Sequence, residues 1–250
     1  MSFRSTAALA TAILTSTAVQ AHAADIVVFG TVAAKNALQQ IVPAYEKATG
    51  NKVTLRLATA GELKKAILDG AAVDVAILTN GALDDLAEQG KLDASSKVVV
   101  AKSGLGVAVK KGAPLPPIAT GAEFTQTLLK AKSIAYTAQG ASNTQIQKVF
   151  AHYKVSAEMM DKTVLIEKGT APEAVGRGEA ELGFTQISEI LDAPGAQLAG
   201  PVPADAQIYL TFAAELGTGS KEQAAAKAFM AALTTAEAKA ALKKAGLEPG

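Results

Sequence analysis

The chain has 250 residues, 49% of them hydrophobic and 19% charged, and 24 Lys and Arg against 23 Asp and Glu leave a formal net charge of +1. A chain so near neutrality lacks the basic footprint of a nucleic-acid binder. With no cysteine it has no disulfide frame, thiolate metal site or cysteine nucleophile, and with His22 and His152 as its only histidines it holds no multi-histidine metal site and strains any Ser-His-Asp proposal. No metal or cofactor is expected.

The N-terminus carries Arg4, an uncharged small and apolar stretch from Thr6 to Val19, and Ala21-His22-Ala23 before Ala24-Asp25. That is the layout of a secretory signal peptide over residues 1–23, cleaved after Ala23 to release a periplasmic protein. The stretch is too short and too rich in Ala, Ser and Thr for a spanning helix, which needs about 20 apolar residues. No later segment is long and apolar enough either. Cleavage removes Arg4 and no acid, so the formal charge falls to zero and Arg56 and Arg177 are the remaining arginines. An anion site here therefore has to be built from backbone amides, hydroxyls and lysines rather than from guanidinium forks.

In chain order, Ile26 to Phe29 reads as a strand, Gly30 to Ala33 as a tight loop, and Ala34, Leu38, Ile41, Tyr45 and Ala48 as the buried stripe of a helix closed by Gly50-Asn51. The unit repeats: strand Lys52 to Leu57, loop Ala58 to Gly61, helix near Glu62; then strand Val73 to Leu78, loop Thr79-Asn80-Gly81, and a helix holding Leu83 and Leu86 that Gly90 ends. Val98 to Val100 and Gly106 to Val109 read as two strands separated by Lys102-Ser103-Gly104. Further units follow at Ser133 to Tyr136 with a helix Thr144 to Tyr153, and at Val164 to Ile166 with a helix from Pro172, a residue suited to a first helical turn. Leu182 to Thr185 is a strand, Ala193 to Pro203 a loop, Gln207 to Glu215 a long strand. The Ala-rich tail, Lys221 to Leu247, forms two helices broken near Thr234-Thr235 that return to the first lobe. Alternating strands and helices at this spacing predict an α/β fold with mostly parallel sheets. The expected division is lobe 1 from 24–102 plus 207–250 and lobe 2 from 103–206, joined by two crossovers.

Five loops lie between a strand end and a helix start, where open α/β sheets bind ligands and helix starts offer free N–H groups. They give the candidate ligand-binding residues: Thr31, Ala33 and Lys35; Thr59, Ala60 and Gly61; Ser142, Asn143 and Thr144; Gly169 and Thr170; and Gln186. Each loop alone is ordinary turn and cap chemistry. Their shared position carries the reading.

The chain also resembles the periplasmic solute-binding proteins of the molybdate-binding type, within the type II ABC-transporter binding proteins. The matching residues are Ile26-Val27-Val28-Phe29 with Asn36-Ala37-Leu38, Tyr45 to Gly50 with Lys52-Val53-Thr54, Gly70 to Ile77, Gly106-Val107-Ala108-Val109, and Gly178 to Gly183. The resemblance implies a two-lobe type II fold, a small anion in the inter-lobe cleft, an ABC permease as partner, and a monomer. In that family serine hydroxyls, backbone amides and a tyrosine of the second lobe hold an oxyanion. Here Thr31-Val32-Ala33 stands where the family has Ala-Ala-Ser, Thr59-Ala60-Gly61 replaces the second-loop serines, and Gln186 aligns with the tyrosine, so weak molybdate binding is expected.

A periplasmic aconitate isomerase shares the same resemblance, which keeps an isomerase acting on a tricarboxylate as the alternative. It requires a proton-transfer group in the cleft. Lys35, Glu62 and Glu173 are the candidates, although a Glu in a first helical turn is already explained by the helix dipole. Lys35 opposes that dipole and is expected to face the ligand. His152, Arg56 and Arg177 read as structural or solvated.

Overall fold

A computed structural model describes residues 23–250; the expected signal peptide, Ala23 excepted, lies outside the described residues. Strand β1 (Asp25–Thr31) passes through a 3-10 turn (Val32–Ala34) into α1 (Lys35–Thr49). Then come β2 (Lys52–Ala58), α2 (Ala60–Leu68), β3 (Val75–Thr79) and α3 (Asn80–Glu88). The three strands run parallel in the order β2-β1-β3. Asn80 and Gly81, expected in a loop, are instead the first residues of α3.

Helices cover both faces of this part of the sheet. On one, Leu38, Ile41 and Tyr45 of α1 pack on Ile26 and Val28, and Tyr45 meets Phe229 edge-on at 5.1 Å. On the other, Phe29 and Leu78 pack with Leu63 of α2 and Leu83 of α3. Burying each such side chain contributes about 1.5–3 kcal/mol. Gly30 lets α1 come this close, because a Cβ there would lie 2.5 Å from Leu38 Cδ1.

Next, β4 (Leu92–Lys110) runs unbroken for 19 residues. The expected break at Lys102-Ser103-Gly104 is absent because Ser103 and Gly104 pair with Leu210 and Tyr209 of a late strand. After it come α4 (Gly121–Lys130), β5 (Ile134–Thr137), α5 (Asn143–His152), α6 (Ser156–Lys162), β6 (Thr163–Ile166), α7 (Ala171–Arg177), β7 (Leu182–Gln186), α8 (Ile187–Asp192) and β8 (Ala196–Pro201). The late strand is β9 (Tyr209–Gly217); α9 (Gln223–Ala232), α10 (Ala236–Lys244) and β10 (Glu248–Pro249) end the chain. The stretch read as a loop from Ala193 contains β8, which gains its strand form from pairing with β4. Helices α4, α6 and α8 are additions to the elements expected.

Strand order is β2-β1-β3-β9-β4-β7-β5-β6, with β8 and β10 also on β4. The two ends of the sheet are parallel, and β9 and β4 join them antiparallel, so β4 passes from one α/β half to the other. In the second half Leu105 and Val107 pack with Phe124, Phe150 and Phe184, the last two edge-on at 5.5 Å. The tail helices pack on α1 and β9, as expected.

Candidate functional site

The carboxyl ends of the parallel strands of both halves face one another. Thr31 at the end of β1, Thr59 after β2, Thr137 at the end of β5 and Thr170 after β6 line one enclosed cavity together with Ala60 and Glu189. The halves are closed on each other here: a Cβ on Gly61 would lie 3.1 Å from the carbonyl oxygen of Gln139. The space left for water centres is about 10 Å³, close to what a single water needs. As the halves stand, that space is too small for an organic anion. A larger hollow of about 770 Å³ lies on the outside between α1, α9 and α10, but alanines dominate its wall and no set of polar groups converges there.

The threonines differ in what they already do. Thr59 caps α2, its hydroxyl donating to Glu62 Oε2 at 2.7 Å and accepting from Glu62 N at 3.3 Å, while Glu62 also accepts from Thr59 N at 3.0 Å. These bonds hold the Glu62 carboxyl below the usual range. Glu173 accepts from Thr170 N at 2.9 Å in the same way. Both acids are exposed and serve as caps, so neither lines the cavity as a proton-transfer group would. The buried Thr31 hydroxyl makes no cap bond to its own turn.

Glu189 is the acid in the cavity wall, and sequence reasoning missed it. It sits in the first turn of α8, where Thr185 Oγ1 donates to its Oε2 at 2.6 Å. Burial pushes its carboxyl up to about 7; the Thr185 bond works against that rise and the negative Asp192 adds to it. A six-residue helix shows no readable period, so only its position after β7 could have pointed to it.

Lys35 occupies a third kind of place, neither against the ligand space nor free in solvent. Its Nζ lies 2.9 Å from Asp192 Oδ2, tying the start of α1 to the end of α8. The cation expected for a ligand is thus committed to a carboxylate of the other half.

Residues 26–248 match the family described as bacterial extracellular solute-binding protein. A curated relative, an aconitate isomerase from a Pseudomonas species, is 34% identical over 218 residues, 85% of this chain and 83% of that protein. The chain belongs to this solute-binding protein family. Among solved structures, the periplasmic molybdate-binding protein of Azotobacter vinelandii superposes with a TM-score of 0.75 at 21% identity, covering 89% of this chain and 98% of that one. A sulfate-binding protein of Mycobacterium tuberculosis gives 0.74 at 16% identity, covering 91% and 87%. At those identities the likeness speaks for the fold, a two-lobe type II periplasmic binding protein.

Within this solute-binding frame the remaining candidates separate. Thr31, Thr59, Ala60 and Thr170 line the cavity. Ala33 is buried under the first turn, and Thr144 and Gly169 are exposed. Ser142 and Gln186 hold each other below the surface, Gln186 Nε2 donating to Ser142 Oγ at 2.8 Å, and Asn143 Nδ2 is spent on Ala138 O at 2.9 Å. Gln186 Oε1 and Asn143 Oδ1 are buried and lack a protein partner. Arg56 stacks over the Phe29 ring at 5.0 Å, Arg177 pairs with Glu179, and His152 Nε2 lies 3.3 Å from Asp205 on the exposed end of α5. Among the described residues no three His, Asp or Glu side chains could hold a metal ion.

Proposed function

We propose that the cleft captures a small polycarboxylate anion in the periplasm and that hinge closure presents the loaded form to an ABC permease. The observation that carries this is the convergence of Thr31, Thr59, Thr137 and Thr170, two from each half, on one enclosed space whose wall holds no lysine or arginine. Hydroxyls and helix-start amides bind an anion without a countercharge. The moving bodies are the lobes 24–102 with 207–250 and 103–206, and the contacting groups are Thr31 and Thr170 with the helix-start amides that follow Thr59, whose own hydroxyl proton is given to Glu62. An inorganic dianion suits the cleft less well, because Ala33 and Gln186 stand where the molybdate sites of the family that the chain resembles have hydroxyl donors.

Isothermal titration of the mature protein with trans-aconitate, cis-aconitate, citrate, molybdate and sulfate tests this. Carboxylates are expected to bind, and at 100 times its dissociation constant a ligand raises stability by about 2.7 kcal/mol, visible as a thermal shift. Nanomolar molybdate or sulfate binding, with the carboxylates inert, overturns the reading.

A second reading has support of its own: the 34% identity to an aconitate isomerase over most of both chains favours a protein that also turns its tricarboxylate over. Conversion of trans- to cis-aconitate by the purified protein, followed by NMR, separates it from capture alone.

A further inference from the structure

We propose that Glu189 is the acid–base group of this cleft, exchanging a proton with the carbon beside a carboxylate of the bound ligand. The inference rests on the polycarboxylate reading above and goes beyond it by naming the residue and the chemistry.

Glu189 is the titratable residue in the cavity wall, set among hydroxyls and backbone groups. Thr185 Oγ1 donates to its Oε2 at 2.6 Å, which restrains the carboxyl, and among the described residues no hydrogen bond occupies Oε1. Its charge has no cation to answer it, since the Lys35 ammonium is bound to Asp192 at 2.9 Å. Asp192 on its own helix is the charge that acts on Glu189, and Lys35 is bound to that Asp192; of the elements packed beside α8, β7, β8 and the 3-10 turn carry no titratable residue, β4 meets it around Ala108 with Lys110 turned toward Gly178, and Glu62 and Glu173 are held in their caps.

A fixed carboxylate beside an anionic ligand repels it, so a cleft that only captures anions gains nothing from one here. A carboxyl that gives and takes a proton removes the conflict. The burial that raises Glu189 to about 7 leaves both forms populated near neutrality, the condition an acid–base group needs.

In the step, the Glu189 carboxylate takes a proton from the carbon beside a ligand carboxylate, and the C–H electron pair delocalises into that carboxylate and any conjugated double bond. Threonine hydroxyls and helix-start amides hold the oxygens on which the charge collects. The Glu189 carboxyl then returns the proton to the same carbon or to the far end of the conjugated system. Nothing is consumed and no co-reactant is needed.

The test follows trans-aconitate with the mature protein in deuterated buffer by proton NMR, with titration calorimetry in parallel. The parent is expected to exchange ligand C–H for deuterium, faster as pH rises through about 7, and Glu189→Gln to lose about 100-fold or more of that rate while still binding. Thr185→Val, which frees the carboxyl without removing it, is expected to slow exchange and move its pH profile; it also serves if the Gln variant fails to fold. Exchange at the parental rate in Glu189→Gln, or in Thr185→Val an unchanged rate and profile, overturns the proposal. Binding by the parent without exchange overturns it too and leaves the carboxylate reading standing. Absence of carboxylate binding by the parent removes that reading and this inference with it.

Discussion

Lys35 Nζ and Asp192 Oδ2 meet at 2.9 Å across 157 residues of chain. The two side chains keep 38% and 26% of their exposure, so solvent screens the pair and its worth is about 0–1 kcal/mol. A lysine bonded directly to a ligand would instead contribute about 1.5–3 kcal/mol. Lys35→Met is therefore expected to weaken ligand binding by less than about fivefold. Adding Asp192→Asn should cost no more, since the partner is already lost. Titration calorimetry on both variants decides it, and a loss of 30-fold or more would place the ammonium on the ligand after all.

Thr31 and Thr59 line the same cavity, but only Thr59 caps a helix. Thr31→Val is expected to reduce affinity by about 1 kcal/mol, roughly fivefold, with little change in melting temperature. Thr59→Val should lose about 1 kcal/mol of stability with the cap and less affinity than Thr31→Val, because the Thr59 hydroxyl proton is already donated to Glu62. Calorimetric binding and unfolding curves on the pair would separate ligand contact from capping.

Gly61 faces Gln139 across the closed cleft, with room for a Cβ only if the neighbour gives. Gly61→Val is expected to hold the halves apart, lowering affinity about tenfold or more while leaving each half folded. Small-angle scattering with and without ligand should show the parent compacting and the variant failing to. A variant that closes and binds like the parent would contradict the contact.

Glu189 makes stability pH-dependent in a definite direction. Its carboxyl stands at 4.5 when free and is raised to about 7 in the fold, so between those values the unfolded chain has released a proton that the folded chain keeps. Folded stability is therefore expected to fall as pH rises from about 4.5 to about 7 and to carry the full penalty above that. Glu189→Gln should be the more stable protein at pH 8, by up to about 3 kcal/mol, with the difference gone near pH 4. Differential scanning calorimetry at the two pH values checks the sign; a parent more stable than the variant at pH 8 would refute it.

Much of the fold was legible locally. Periodicity alone separates β1, α1, β2 and α2, because each buries one face against the sheet and writes that face into residues such as Val28, Leu38 and Leu63. Strand-to-helix junctions were likewise readable, and they led to Thr31, Thr59, Ala60 and Thr170, which line the cavity. The same rule also selected Ser142, Asn143 and Gln186, whose side chains bond within the protein. Position relative to a strand end does not say which way a side chain points.

What only the tertiary structure decided are features made by partners distant in the chain. Ser103-Gly104 has the composition of a turn, and it is strand because Leu210 and Tyr209 supply its ladder, an override of local preference by pairing. The raised pKa of Glu189 comes first from burial by the surrounding chain, and the commitment of Lys35 comes from an ion pair across the two halves. Local pattern records which face of an element is apolar. Desolvation and charge pairing depend on what the rest of the chain brings alongside, and that is set only when the two halves close.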